Sequence, residues 1–440
     1  MQALSTSAGA HRLVWQRFKK NKPAFWSFRL LLVFSGIAFL APLLANDQPL
    51  YIQLNGQSFF PALSFTSTIE MENEGVYGIW QKDIIDWKKV KAEKVVWCPI
   101  AYAPNKSDFL NADYCAPTAA QQFKTADGEV IEMPRKFRHW LGTNKRGEDV
   151  LSGLLHGFRI SLSIGVLAML IAAIIGITIG AAAGYFGDTG LTTSKAQFYT
   201  FPFQVLLAYF YAFQTRGFVL TNALQVSSFQ LLWQLLLSLI IFIVVLFGLN
   251  KVVKFSLGRI SFLKTKSNIP LDSLLSRLIE IVLSLPTLIL IITIAAIARP
   301  SIVNIILLIG LVQWTSIARF TRAEMLKVRE MDYITAAKVL GYSQFRIIVK
   351  HALPNAIAPA LISIAFGIAG AILTESSLSF LGVGLPADVV TWGTLINSGR
   401  ENFDAWWLVL FPGICIFLTV LIYNLIGEGL RDALDPKIID

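Results

Sequence analysis

Residues 332–354 read DYITAAKVLGYSQFRIIVKHALP, a polar stretch set between two long apolar runs. Tyr333, Ala336, Ala337 and Leu340 fall at i, i+3, i+4 and i+7, which places them on one face of a helix. Two of the four are alanines, small enough to let another surface approach closely. Gly341 stands where a helix C-terminus favours glycine. Ser343 is positioned to cap a second helix that begins with Gln344 and Phe345. Leu353-Pro354 is expected to close that helix, because proline lacks an amide hydrogen and restricts the residue before it. Lys338, Arg346, Lys350 and His351 make the stretch basic, as befits the cytoplasmic side of a membrane. The pattern is that of a helix–glycine–helix docking element.

The surrounding chain is apolar. Of 440 residues, 55% are hydrophobic and only 15% charged, where a soluble protein averages about 25% charged. The net charge is +10. The cations cluster beside apolar runs and form no stripe interleaved with aromatics, which argues against nucleic acid. Arg12, Arg17, Lys19, Lys20, Lys22 and Arg29 precede the first run with no acidic residue among them, so the N-terminus is expected in the cytoplasm. That run, about 30–45, also has the basic leader of a secretory signal, but its APLLA ending and the spans that follow favour an uncleaved helix. Runs long enough to cross a bilayer lie at 28–46, 160–185, 277–298, 302–320, 355–375 and 406–427. Alternation from a cytoplasmic start puts 47–156 outside, and both 332–354 and the C-terminal RDALDPKIID inside.

Two insertions lengthen this six-span core. Residues 47–136 are polar, mix charges of both signs and carry Trp80, Trp87, Trp97 and Tyr102. They predict a small extracytoplasmic α+β domain, with a strand in KVVWCPIAYAP. Residues 189–272 hold two further apolar runs. One, 230–249, is long enough to span; the other, 198–213, is shorter and contains Pro202. Basic flanks at Lys195 and from Lys251 to Lys266 suit a hairpin that enters and leaves from the cytoplasm. The expected whole is an all-α polytopic membrane protein of eight spans. Its segments are 1–46, 47–136, 137–188, 189–272 and 273–440.

The chemistry of an enzyme is missing from the sequence. Gly142 and Gly147 have P-loop spacing, but Glu148-Asp149 stand where Lys and Ser/Thr are needed. His11, His139, His156 and His351 show no metal-binding spacing, and there is no Gly-x-Ser-x-Gly elbow. No catalytic residue, metal or bound cofactor is therefore expected. Cys98 and Cys115 both fall in the outer insertion, where oxidation is permitted, and are candidates for a disulfide; Cys415 reads as a packing residue. Gly176, Gly180 and Gly184 lie four apart, as in close helix packing. Ser363, Gly367, Gly370 and Ala371 repeat the signal, and either set packs internally, lines a substrate route or meets a partner. Glu280 sits near Arg277 and suits interfacial pairing. Glu375, in an apolar run, is a candidate for the substrate route.

Ala336-Ala337, Gly341, Ile347 and Leu353-Pro354 together resemble the "EAA loop" of permease subunits in binding-protein-dependent ABC importers. The resemblance continues in HALPNAIAPALI, TESSLSFLGVGLP, TWGTLINSGRENF and NLIGEGLRDALDP downstream, and in HWLGTNKRGEDVLSGLLHGFRISLSIGV and AAAGYFGD upstream. The pattern is similar to the C-type permease of dipeptide and oligopeptide importers, over about 137–188 and 273–438 plus the first span. Thr335 replaces the loop's usual leading glutamate, and Glu148 replaces the arginine of a GRD triplet. The resemblance implies a bacterial inner-membrane complex with a second homologous permease, an external substrate-binding protein and two ATPase subunits that bind ATP and Mg. It assigns ATPase coupling to Tyr333, Thr335, Ala336, Ala337, Lys338, Leu340, Gly341, Ile347, Leu353 and Pro354. Trp314, Arg319 and Arg322 would transmit force, or anchor the span at the membrane surface. The implied cargo is a di- or oligopeptide; nickel, a peptide antibiotic or an antimicrobial peptide would suit the same architecture. A secondary transporter or channel would call for inverted repeats with broken helices, or rings of charge, and neither is visible. A membrane-anchored interaction protein built on 47–136 would leave the long motif match without a purpose.

Overall fold

A computed structural model describes residues 7–64, 66–73, 76–90, 92–125, 128–226, 228–257 and 260–434. The last six residues of the tail expected inside lie outside these. The N-terminal basic stretch forms α1 (Ser7–Lys20), and α2 (Lys22–Leu44) follows after an Asn21 cap whose side chain accepts from the Ala24 amide. The long α3 (Val150–Phe186) starts where Asp149 accepts from the Ser152 amide, and ends at Gly187. The second insertion supplies α4 (Lys195–Tyr209), α5 (Gly217–Val226), α6 (Ser228–Ser256) and α7 (Ser261–Lys264). Then come α8 (Leu271–Leu283), α9 (Thr287–Ile297), α10 (Ile302–Val328), α11 (Asp332–Val339), α12 (Gln344–Ile347), α13 (Leu353–Ala356), α14 (Ala358–Phe380), α15 (Trp392–Ser398) and α16 (Trp407–Leu434).

Among the described residues six helices are long and apolar enough to cross a membrane: α2, α3, α6 from Trp233, α10, α14 and α16. The span expected at 277–298 is two helices, α8 and α9, bent by 76°; Pro286 precedes α9 and breaks the run. Counted as one, the pair makes seven, one fewer than the eight expected, because α4 at 15 residues is too short to count as a span. The shorter run at 198–213 is α4 continued by a π turn, Phe210–Gln214, and lies antiparallel to α6. Gln197 Nε2 donates to Asn250 Oδ1 at 2.9 Å near one end of that pair, and Arg216 Nη1 to Ser238 Oγ at 3.0 Å near the other. The hairpin is closed at its base by β8 (Thr192–Ser194) and β9 (Lys266–Asn268), which pair antiparallel, once seven earlier strands are counted. Those seven lie in the first insertion.

There β1 (Tyr51–Leu54) is flanked by β2 (Gln57–Phe59) and β5 (Lys94–Val96) in an antiparallel sheet. β3 (Thr68–Asn73) pairs with β4 (Val76–Gln81), and β6 (Gln122–Lys124) with β7 (Val130–Glu132). Ile52, Leu54, Ile85 and Trp87 fill its core. The expected α component is not found: the described residues of 47–136 hold strands and short 3₁₀ turns, with no α-helix. Segments between its turn residues are too short to close a helical nucleus. The expected disulfide is not found either. Cys98 and Cys115 are free thiols; Cys98 Sγ faces the Gln48 carbonyl at 3.5 Å, and Cys115 Sγ the carbonyl of Ala116. Each side chain is turned to a different backbone neighbour.

The core is built where backbones touch. A Cβ on Gly176, Gly180 or Gly184 of α3 would stand 2.7, 2.5 or 2.6 Å from the carbonyl oxygens of Trp314, Ala318 and Arg322 in α10. These glycines therefore pack inside the subunit, and the equal steps show that α3 and α10 run parallel. Gly165 and Gly367 place α14 antiparallel against α3, beside Ile372 and Met169. Gly429 of α16 receives Ala24 and Phe18. One end of the bundle thus carries the first insertion; the other carries α1, the base of the hairpin and the 332–354 segment.

Candidate functional site

The 332–354 segment is an elbow. α11 ends in Gly341, which has φ +77°. The Gly341 amide donates to Lys338 and the Tyr342 amide to Ala337, the paired bonds of a left-handed helix stop. Ser343 then caps α12, accepting from the Arg346 amide. Pro354 does not close this helix as expected. The backbone widens into a π turn over Ile348–Ala352 and continues through α13 into α14. The wider turn makes room for the proline ring and absorbs its missing donor.

The elbow has an inner and an outer face. Ile334, Ala337 (6% exposed), Ile347 (0%), Ala352 and Ala356 are buried in one cluster with Ala181, Tyr185, Met325 and Val328. Tyr185 donates to Gln344 Oε1 at 2.6 Å, and Arg329 Nη1 reaches the Gly184 carbonyl at 3.4 Å. The single face expected for Tyr333, Ala336, Ala337 and Leu340 is therefore split: Ala337 points in, and the other three point out. Thr335 and Lys338 are also outward, with the Lys338 ammonium 5.5 Å from the Tyr185 ring. Leu353 is half-buried and Pro354 exposed. The outward face is more apolar than the motif residues alone suggest, because Val339 (83% exposed), Leu340 (71%) and Phe345 (76%) project from it. Val339 and Phe345 escape the sequence reading; three bulky apolar side chains within seven residues of a basic stretch are the signal that marks them.

Above the elbow, Trp314 is buried against α3. Arg319 is exposed and lies beside the Phe320 ring. Arg322 grips Asp272 at the start of α8 with a two-pronged ion pair, its second prong 2.7 Å long. It thus joins α10 to the bent pair. Glu280 pairs with Arg277 at 2.8 Å on the surface.

A cavity of about 690 Å³ opens between α10, α14 and α16 in the half of the bundle nearest the elbow. Gln313, Ser316, Ser363, Gly367, Gly370 and Arg431 supply its polar and small walls, and Phe320 and Phe366 its aromatic ones. Ala371 is buried instead. Glu375 does not line this cavity. It is fully buried, and its carboxylate accepts from Ser379 (2.7 Å), Ser161 (3.0 Å) and Ser376 (3.4 Å), pinning α14 to α3. Hydroxyl donors satisfy a buried carboxylate that would otherwise be costly.

At the opposite end, His139 is fully buried between two acids that the spacing of the histidines gives no hint of. Nδ1 lies 2.8 Å from Asp149 and Nε2 3.3 Å from Asp108. Asp149 is also the cap of α3, so this triad joins the insertion to the bundle.

The elbow thus presents an apolar outer face and is fixed to the helices that flank the cavity. Residues 254–440 match the family described as binding-protein-dependent transport system inner membrane component, and residues 11–61 the N-terminal domain of oligopeptide transport permease C. The dipeptide transport system permease protein DppC of Alkalihalophilus pseudofirmus is 31% identical over 73% of this chain and 79% of its own length. The chain belongs to the permease components of binding-protein-dependent ABC transport systems. It is a multi-pass inner-membrane transport subunit and not a catalytic one. The inner membrane ABC transporter permease protein YejE of Escherichia coli is 29% identical over 96% of both chains. The peptidoglycan transport system permease protein YejE of Agrobacterium fabrum is 27% identical over 96% of this chain and 92% of its own. Both of these matches extend through the two insertions.

Proposed function

We propose that this permease forms one half of an inward path for di- and oligopeptides, with both termini and the elbow in the cytoplasm. A second homologous permease faces the 690 Å³ cavity and completes the path. Two ATPase subunits, which bind ATP and Mg, seat the elbow in a groove, and an external binding protein delivers cargo at the insertion end. The observation that carries this reading is the Val339–Leu340–Phe345 ridge, held out by an elbow whose inner side is embedded between α3 and α10. An exposed apolar ridge of this kind marks an interaction surface, and the basic residues around it favour the cytoplasmic side. Arg322 and its Asp272 partner would carry movement of α10 into the bent pair α8–α9.

The test is Leu340→Asp in the assembled transporter. The variant is expected to insert and fold but to lose co-purification with the ATPases and peptide uptake at least tenfold. Uptake at the wild-type rate refutes the reading. One observation favours a narrower cargo: a relative that matches across both insertions is named for peptidoglycan transport. Cell-wall peptide fragments are then the preferred substrate, to be checked by competition against ordinary oligopeptides of the same length.

A further inference from the structure

The outer insertion holds a second concavity, of about 390 Å³, between residues 85–89, the 106–110 loop and β6. Its charged lining is unevenly satisfied. Asp86 pairs with Lys89 at 2.7 Å and Asp47 with Lys106 at 3.4 Å. Asp108 accepts from Asn111 Nδ2 at 2.8 Å and faces His139 Nε2. Each acid in the wall is already matched.

Two cations are not. Among the described residues no carboxylate oxygen comes within ion-pair distance of Lys88 or Lys124. The Lys88 ammonium instead rests 3.3 Å from the centre of the Tyr102 ring, with Phe137 at 5.2 Å. Burial lowers the Lys88 ammonium to about 8, although Asp108, Asp86, Asp47 and Asp149 all oppose the shift. Lys88 is half-buried over an aromatic face with no carboxylate in contact, and Lys124 stands exposed at the rim, so both cations are open to an anion. Beside it the wall is apolar: Phe109 is 86% exposed, and Leu110 and Phe123 continue the surface.

We propose that this pocket binds a short peptide by its terminal carboxylate, with Lys88 and Lys124 as the cations and Phe109 and Phe123 against the last side chain. The volume lies in the range of small-molecule sites and below that of a protein-sized groove. Spare positive charge next to an aromatic wall matches a carboxylate joined to an apolar residue. The choice of a peptide rests on the import reading above; the site itself rests on the unmatched lysines. It places a cargo-binding step on the permease, ahead of the membrane.

The experiment is calorimetric titration of the full chain in detergent with alanyl-phenylalanine, its C-terminal amide and inorganic phosphate. The acid is expected to bind at least tenfold more tightly than the amide. Lys88→Met should erase that difference, and Lys88→Arg, which controls for folding, should keep it. Equal binding of acid and amide, no binding of the acid, or phosphate as tight as the dipeptide overturns the proposal. So does a Lys88→Met variant with wild-type discrimination. No ATPase or binding protein enters this titration. Its failure leaves the elbow reading intact, and failure of the elbow variant leaves this result intact.

Discussion

Gly341 is needed for its backbone and not for space. Its φ is +77°, yet a Cβ built there meets nothing within 4 Å. A substitution therefore costs conformational strain of about 1–3 kcal/mol, most for a β-branched residue. Gly341→Val is expected to leave membrane insertion unchanged while cutting ATP-coupled uptake severely; Gly341→Asn, which tolerates the left-handed region, should retain most of it. Uptake assays in vesicles with matched protein levels decide between them. His139 offers a second test. Burial alone would lower this imidazole, but hydrogen bonds to Asp108 and Asp149 outweigh it and hold the group above its ordinary value of 6.5. Folding thus takes up a proton here. The stability contributed is complete below the unfolded value and is lost as pH rises through the raised folded one. The protection factors across 139–152, which are intrinsic exchange rates divided by the observed rate at each pH, are expected to fall from pH 6.5 upward in the native chain, and His139→Gln should remove most of that fall.

At the scale of elements, the hairpin between α3 and α8 is separable. Thr192–Ser194 and Lys266–Asn268 are paired strands, so the chain leaves and returns at one point. Asp188 accepts from both the amide and the hydroxyl of Ser273, at 2.9 and 2.6 Å, just outside that pair. Replacing 193–267 by a short glycine-serine link is expected to leave the rest of the bundle folded, measured as a monodisperse peak and an unchanged melting profile for the six-span remainder. The elbow and this hairpin are legible in the sequence because local chemistry writes them: Gly341 and Ser343 punctuate one, and apolar length with basic flanks marks the other. Which alanine of the elbow turns inward is not legible. Ala336 and Ala337 differ only by their angle about the helix, and the choice is made by the distant Tyr185 and Met325. The π turn before Pro354 is hidden for a related reason, since its cost is met by packing that no short window contains. The unmatched lysines and the His139 triad draw on loops spread from Lys88 to Asp149, and no periodicity links them.

For the whole molecule, the shared boundary of α3 and α10 sets the stability. A Cβ at Gly180 would stand 2.5 Å from the Ala318 carbonyl and 3.0 Å from its Cα. Backbone has no rotamer by which to yield, so overpacking here forces the helices apart. Gly180→Val is expected to lower the yield of folded protein sharply and to reduce the melting temperature of what remains. Gly413, whose added Cβ meets nothing within 4 Å, supplies the control on α16: Gly413→Val should melt within a few degrees of the native chain.

The same glycine ladder limits how the transporter can change shape. Three carbonyls of α10 sit in notches one turn apart along α3, so sliding either helix by less than a full turn would drive oxygen into a side chain. The two must travel as a single girder. Whatever opens and shuts the passage has to yield elsewhere, along the cavity wall of α14 and α16 and at the kink between α8 and α9.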